Sequence, residues 1–280
     1  MLGSLPTDSA LVRFLLIAIL LFVVALLLII VSALTTDIKF GARPYPKIKY
    51  RNIEVSFLWP LNGGGIMYAY EFAHIILKKI GKVEHAFEYC AGPGFIGFNL
   101  LANNLCDRLT LADTNPRSVE LIKETIKSNH LQDKVTVYHS DCLDAIPEKE
   151  KWDLVVSNPP WVLSSKDKKD IMVCDPESRV HEKFFRDINK FLKPNGSILF
   201  IEGAEFTNAN SFKDMIEKNG LSMAASFRPV SFLEMFKKMD EYKGLRMTTI
   251  IFLHMGLFLR EAYFIWSKRK GSEIKAPQQS

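Results

Sequence analysis

The sequence predicts an α/β fold with a mostly parallel sheet, set behind one apolar N-terminal helix. Three observations predict it. Short apolar runs alternate with amphipathic stretches from residue 85 onward, a glycine loop joins the first run to the first stretch, and a 21-residue uncharged segment precedes them all. At 280 residues the chain suits one large α/β domain or two small ones. Four cysteines at 90, 106, 142 and 174 follow no metal-type or paired spacing, so they read as reduced thiols of a cytosol-facing domain.

The net charge of +5 is unevenly spread. Residues 1–51 hold six Lys/Arg against two Asp, whereas the remaining 229 residues hold 30 basic and 29 acidic side chains. A body so close to neutral lacks the electrostatic footprint of a dedicated nucleic-acid binder.

Phe14 to Leu34 carries no charge and is rich in Leu, Ile and Val. At ~1.5 Å per residue it spans about 30 Å, the thickness of a bilayer's hydrocarbon core. A cleaved leader is the competing reading, and Val31-Ser32-Ala33 has the small residues for it, but leader cores run only about 7–15 residues. One transmembrane helix at 14–34 is therefore expected, after a tail at 1–13. Five Lys/Arg follow it within the linker 35–51, against Arg13 and the terminal amine before it. The positive-inside rule then puts the main body in the cytoplasm, with the basic linker along an anionic leaflet.

Residues 52–260 are expected to form the folded domain. Gly63-Gly64-Gly65 precede a helical run from about Ile66 to Ile80 and suit either a hinge or a turn offering backbone N–H groups to an anion. His85–Cys90 reads as a strand, Ala91–Gly97 as a glycine turn and Phe98–Leu105 as a helix. Arg108–Asp113 is a second strand, and its terminal acid suits a ribose diol. Pro116–His130 is a helix capped by Asn115 with proline at its first position. Lys134–His139 is a third strand, followed by Asp141, which can accept from an exocyclic adenine amine. An acid thus stands at the end of each of three successive strands, at Glu88, Asp113 and Asp141.

The fourth strand carries the most specific signal. Trp152–Ser157 ends in Asn158-Pro159-Pro160-Trp161. Two prolines remove two backbone donors and hold the chain extended, leaving an amide oxygen, a free carbonyl and an aromatic face together at the strand's carboxyl end. Those groups suit a planar –NH2, with two acceptors for its hydrogens and a ring to stack on.

Beyond it, Val162–Pro176 reads as a loop over the substrate mouth, Glu177–Leu192 as a helix stopped at Lys193-Pro194-Asn195-Gly196, and Ser197–Ile201 as a fifth strand. Phe212–Asn219 is helical, Leu221–Phe227 a strand, Phe232–Tyr242 helical and Leu245–His254 the last strand. A second membrane span at Met247–Leu259 is disfavoured, because His254 and Gly256 interrupt it and Arg246 and Arg260 bound it. Residues 261–280 read as a tail whose Tyr263, Phe264, Trp266 and Lys268–Lys270 suit the membrane surface.

With these residues in view, positions 86–202 resemble a class I S-adenosylmethionine-dependent methyltransferase of the Asn-Pro-Pro-aromatic group, which includes the HemK-like enzymes and the methyltransferase small domain. The resemblance implies a Rossmann-like seven-stranded sheet with an antiparallel last strand and S-adenosyl-L-methionine as cofactor. It implies cofactor binding by Glu88, Cys90, Gly92, Gly94, Gly97, Asp113, Asp141 and Asn158, and acceptor binding by Asn158, Pro159, Pro160 and Trp161. Cys90 departs from the family's usual glycine, and Trp161 replaces the commoner Tyr or Phe. No metal site is expected, and the sequence does not speak to oligomeric state.

The expected activity is methylation of a planar amine or amide nitrogen on a protein glutamine or a small molecule, at a membrane. Adenine-N6 methylation of nucleic acid and a catalytically inactive S-adenosylmethionine-binding membrane protein are the alternatives. A nicotinamide oxidoreductase shares the glycine loop but has no use for Asn-Pro-Pro-Trp.

Overall fold

The computed structural model describes residues 17, 19–20, 22–25, 45–161, 173–203, 207, 209–228 and 262–271. Strands β1 (Lys47–Tyr50) and β2 (Ile53–Ser56) form an antiparallel hairpin. Helix α1 (Gly65–Lys79) leads to β3 (Val83–Tyr89), α2 (Phe95–Ala102), β4 (Cys106–Asp113), α3 (Pro116–Ser128), β5 (Val135–His139) and β6 (Trp152–Ser157). Then come α4 (Arg179–Asp187), β7 (Leu192–Gly203), α5 (Ala209–Lys218), β8 (Leu221–Phe227) and β9 (Ala262–Arg269). One sheet of seven strands runs in the order β5-β4-β3-β6-β7-β9-β8. The pairs from β5 to β7 are parallel, and β9 runs antiparallel to both its neighbours. This is the Rossmann-like arrangement that the resemblance implied.

Both sheet faces are buried, which is why its strands read as near-continuous apolar runs. Leu199 and Ile201 of β7 point to the face covered by α1, α2 and α3, while Ile198 and Phe200 point to the face covered by α4 and α5. On the second face Trp152 lies flat on Phe87, with ring centres 4.0 Å apart, and also stacks on Phe191. Removing that indole would cost about 3–5 kcal/mol, so the start of β6 is firmly anchored. The order reverses between β3 and β6, opening a crevice at their carboxyl ends. There Tyr89 pairs with Ser157, and the Ser157 hydroxyl donates to the Tyr89 carbonyl at 2.6 Å.

Several expectations need correction. The segment assigned to a membrane-surface tail contains β9, an inner strand of the sheet, so the domain extends past residue 260. Its aromatics face inward: Tyr263, Phe264, Ile265 and Trp266 are all buried. At the other end, the expected linker includes β1. Lys47 is buried and reaches the Ser128 hydroxyl, and the Ser56 N–H donates to Thr125, so the hairpin is fastened to α3 as part of the folded domain. The expected turn at Lys193–Gly196 is a bulge inside β7. Trp152 pairs with Leu192 and Leu154 with Ser197, so the intervening residues loop out where Pro194 has no N–H to give.

The expected helix 232–242, strand 245–254 and most of the loop 162–176 lie outside the described residues, as does most of the apolar segment 14–34. Of that segment, Ile17, Ile19, Leu20 and Phe22–Ala25 are helical and exposed. Among the described residues no helix is long and apolar enough to cross a membrane.

Candidate active site

The crevice is a cavity of about 1070 Å³, walled by the ends of β3, β4 and β6, the turn before α1 and the stretch before α4. Glu88, Cys90, Gly92, Asp113, Asp141 and Asn158–Trp161 all line it. Gly94 and Gly97 do not. Gly94 begins α2, and a Cβ on Gly97 would sit 2.7 Å from Leu109, so these two glycines serve the packing of helix against sheet.

Glu88 is buried beneath the loop, with Oε2 accepting from the Gly97 N–H at 2.7 Å and Oε1 from the Ile96 N–H at 3.3 Å. It ties the start of α2 to the end of β3. Burial pushes its carboxyl up to about 8, with nearby Asp113 adding to the rise and the two backbone donors opposing it. Asp113 accepts from the Gly92 N–H at 2.7 Å and the Asn115 N–H at 2.8 Å, and burial raises its carboxyl too. Asn115 caps α3 by accepting from the Arg117 N–H, as its position predicted. Asp141 sits at the rim, 60 % exposed, paired with Lys183 at 3.1 Å. An exposed pair of this kind holds only about 0–1 kcal/mol, which leaves Asp141 available to a ligand.

Asn158 follows the Tyr89–Ser157 pair directly, so the sheet brings it to the glycine loop. Its Nδ2 donates to the Gly63 carbonyl at 2.8 Å. Its Oδ1 is buried with no partner among the described residues. A carbonyl can only accept, so Gly63 holds the amide in the orientation that presents the oxygen. The turn at 62–65 therefore serves the site through a carbonyl, where the sequence had suggested N–H groups; the Gly65 N–H is used internally, on Asn62.

Trp161 rests on Gly203 at the end of β7. A Cβ there would overlap indole Cζ3 and Cε3, so only glycine leaves room for the ring. The Trp161 N–H donates to the Val173 carbonyl. Three contributors went unseen in the sequence: the Gly63 carbonyl, Gly203, and a buried trio of Asp175, His181 and Glu202 described below. Each depends on residues far apart in the chain, with no local pattern to reveal it.

A family model described as the methyltransferase small domain matches residues 73–228. The chain belongs to this family. Over 184 aligned residues the chain is 27% identical to a release factor glutamine methyltransferase of Clostridium acetobutylicum, covering 60% of this chain and 62% of the relative. A ribosomal protein uL3 glutamine methyltransferase of Francisella tularensis is 32% identical over 97 residues, covering 34% and 29%. The chain thus spans less than two thirds of either relative. Among solved structures, a T. thermophilus 16S rRNA N2 G1207 methyltransferase in complex with AdoMet and guanosine shares the fold, with a TM-score of 0.50, 13% identity, and coverage of 80% of this chain and 50% of that one.

The methyltransferase small domain's cavity suits S-adenosylmethionine on the chemistry of its donor set. Acids at three successive strand ends face a ligand that carries an ammonium group, a ribose diol and an adenine amine, and a buried amide oxygen stands unpartnered beside them.

Proposed function

We propose that this chain transfers a methyl group from S-adenosylmethionine to a planar nitrogen, with a protein glutamine or small amine as acceptor. One observation carries the reading. The Asn158 amide is fixed through Gly63, and its buried oxygen has no donor among the described residues. Leaving such an acceptor unmet costs about 1–3 kcal/mol, and an acceptor –NH2 supplies the missing hydrogen. Two relatives named as glutamine methyltransferases support an amide acceptor, and the near-neutral body argues against a large nucleic acid.

When bound, S-adenosylmethionine supplies a methyl group already activated by its sulfonium sulfur. Glu88, Cys90 and Gly92 would hold one end of it, Asp113 the ribose and Asp141 the adenine. Asn158 Oδ1 and the Pro159 carbonyl accept the two acceptor hydrogens, aim the nitrogen lone pair and stabilise positive charge as it grows. Pro160 keeps that carbonyl extended, and Trp161 walls the flat group. The nitrogen loses its proton to water after the new bond forms, so the step needs no general base.

The reading also places the domain at the cytoplasmic face of a membrane through residues 14–34. Its support is the uncharged run itself and the exposed apolar residues Ile17, Ile19, Leu20 and Phe22. A chain beginning at residue 45 should move from the membrane fraction to the soluble fraction.

The decisive experiment is Asn158→Ala. Calorimetry should find S-adenosylmethionine affinity unchanged, while tritiated methyl incorporation into extracts of cells lacking the protein falls by roughly 10²–10³. Unaltered incorporation would remove Asn158 from its role. A wild-type protein stabilised in thermal shift by a nicotinamide dinucleotide and not by S-adenosylmethionine would overturn the whole reading.

A further inference from the structure

Three of the most heavily buried ionisable groups in the described part of the domain form a trio at the cavity's edge, reaching its lining through Asp175. His181, at the start of α4, is 1% exposed, and Asp175 and Glu202 are fully buried. Nδ1 of the imidazole lies 2.6 Å from Asp175 Oδ2, and Nε2 lies 2.9 Å from Glu202 Oε1. The ring is flanked by Phe200 of β7 and Phe212 of α5. Two carboxylates on the two ring nitrogens call for the imidazolium, in which both nitrogens donate.

This trio bridges the two places that seat Trp161. Glu202 adjoins Gly203, the floor on which the indole rests. Asp175 lies two residues beyond Val173, whose carbonyl takes the Trp161 N–H. Asp175 also accepts from the Val180 and His181 N–H groups, which fixes the start of α4. A helix cap needs Asp175 alone. The second carboxylate, reached across to β7, adds a buried charge whose other oxygen finds no partner among the described residues. Burying a charge is costly, and one that couples two elements is explained by what it holds in register.

We propose that His181 is a positioning residue for the acceptor site, locking floor and stem of the Trp161 seat together through Glu202 and Asp175. This rests on the reading of Trp161 as the acceptor wall. The side chains facing the imidazole are Asp175 from the stretch before α4, Glu202 and Phe200 from β7, and Phe212 from α5. Tyr263 pairs with Glu202 across β7 and β9, and its hydroxyl is hydrogen-bonded to Thr207.

The test needs no identified acceptor. The chain has four tryptophans, and 5-fluorotryptophan labelling gives each a fluorine resonance, with Trp161 assigned from Trp161→Phe. In His181→Gln the Trp161 resonance should shift by more than its linewidth or split. The Trp152 resonance, from the stacked core, and the calorimetric affinity for S-adenosylmethionine (within twofold) should hold. A Trp161 resonance that stays in place beside an unchanged Trp152 overturns the proposal. If His181→Gln disturbs all four resonances, Glu202→Gln, which keeps the shape of the side chain, is read by the same criteria. Collapse of all four in both variants also overturns it, since the trio would then be a folding element only. Failure of the wild-type protein to bind S-adenosylmethionine would instead sink the functional reading, and leave the Trp161 result to stand by itself.

Discussion

Cys90 occupies the position where the family pattern prefers glycine, and its backbone shows why. Its φ is +52°, in the left-handed region, where a side chain costs about 1–2 kcal/mol relative to the right-handed conformation. The thiol is only half-buried, in contact with the cavity, and burial with its acidic neighbour Asp113 keeps it protonated. It is therefore a poor nucleophile, and the departure from glycine is one of backbone strain. The comparison that isolates the strain is Cys90→Gly against Cys90→Ala, since both lose the thiol. Glycine should be the more stable by about 1 kcal/mol, which for a domain of this size separates the melting temperatures by about 2–4 °C. Equal melting temperatures would place the cost of this turn elsewhere. The same scale governs Asn158, whose usefulness depends on which way one amide is turned, and a single carbonyl from Gly63 decides it.

The meeting of β6 and β7 seats Trp161, the proposed acceptor wall. Because a Cβ on Gly203 would overlap the Trp161 ring, Gly203→Ala must displace the indole while leaving the glycine loop on the other side of β6 intact. Misplacing a positioning group by about 1 Å can cost 10²-fold. Methyl transfer should fall on that order, with S-adenosylmethionine affinity unchanged. In Trp161→Phe the added Gly203→Ala should cost much less, a coupling that a double-mutant cycle measures. Independent effects would mean that ring and glycine do not act together. Elements built on local signals were legible in the sequence: β8 appears at Leu221–Phe227 as expected, and α3 with its Asn115 cap needed only its neighbours in the chain. What misled were local signals overruled by tertiary context. Pro194-Asn195-Gly196 carry turn chemistry, yet β6 and β9 hold both flanks of that stretch and reduce the turn to a bulge. The mixed aromatic and basic residues of β9 look amphiphilic in sequence. In the sheet Phe264 and Trp266 fill one face, Tyr263 and Ile265 the other, and even Lys268 is buried over the Trp266 ring. His181 lies 6 and 21 residues from its two carboxylates, a spacing with no helical or strand periodicity to mark it.

Over the whole molecule, two buried groups, Glu88 and His181, make stability fall as pH rises, while burial pushes the buried His85 imidazole down and acts in the other direction. Burial raises the Glu88 carboxyl from 4.5 to about 8. For the His181 imidazole burial acts downward, but the Glu202 charge and the hydrogen bonds to Asp175 and Glu202 outweigh it and lift the group from 6.5 to about 9. Both folded values lie above the ordinary ones, so the folded state binds more protons than the unfolded chain across these windows. The Glu88 contribution is fully present below 4.5 and lost as pH rises through about 8; that of His181 is fully present below 6.5 and lost through about 9. The melting temperature should therefore fall between about pH 5 and pH 9. Glu88→Gln should flatten the lower part of that slope and His181→Gln the upper part. The slope is the measure, because the amide introduced by Glu88→Gln would set a donor against a backbone N–H and lower the melting temperature at every pH. Cofactor binding should act on the same proton. A bound sulfonium and ammonium near Glu88 favour its carboxylate and pull it back toward 4.5, so near pH 7 binding should release a proton. Calorimetry of S-adenosylmethionine binding in two buffers of different ionisation enthalpy measures that release directly. It should approach one proton in the wild type and vanish in Glu88→Gln, whereas an equal release in both would mean that another group, with Asp113 the nearest candidate, meets the cofactor's charge.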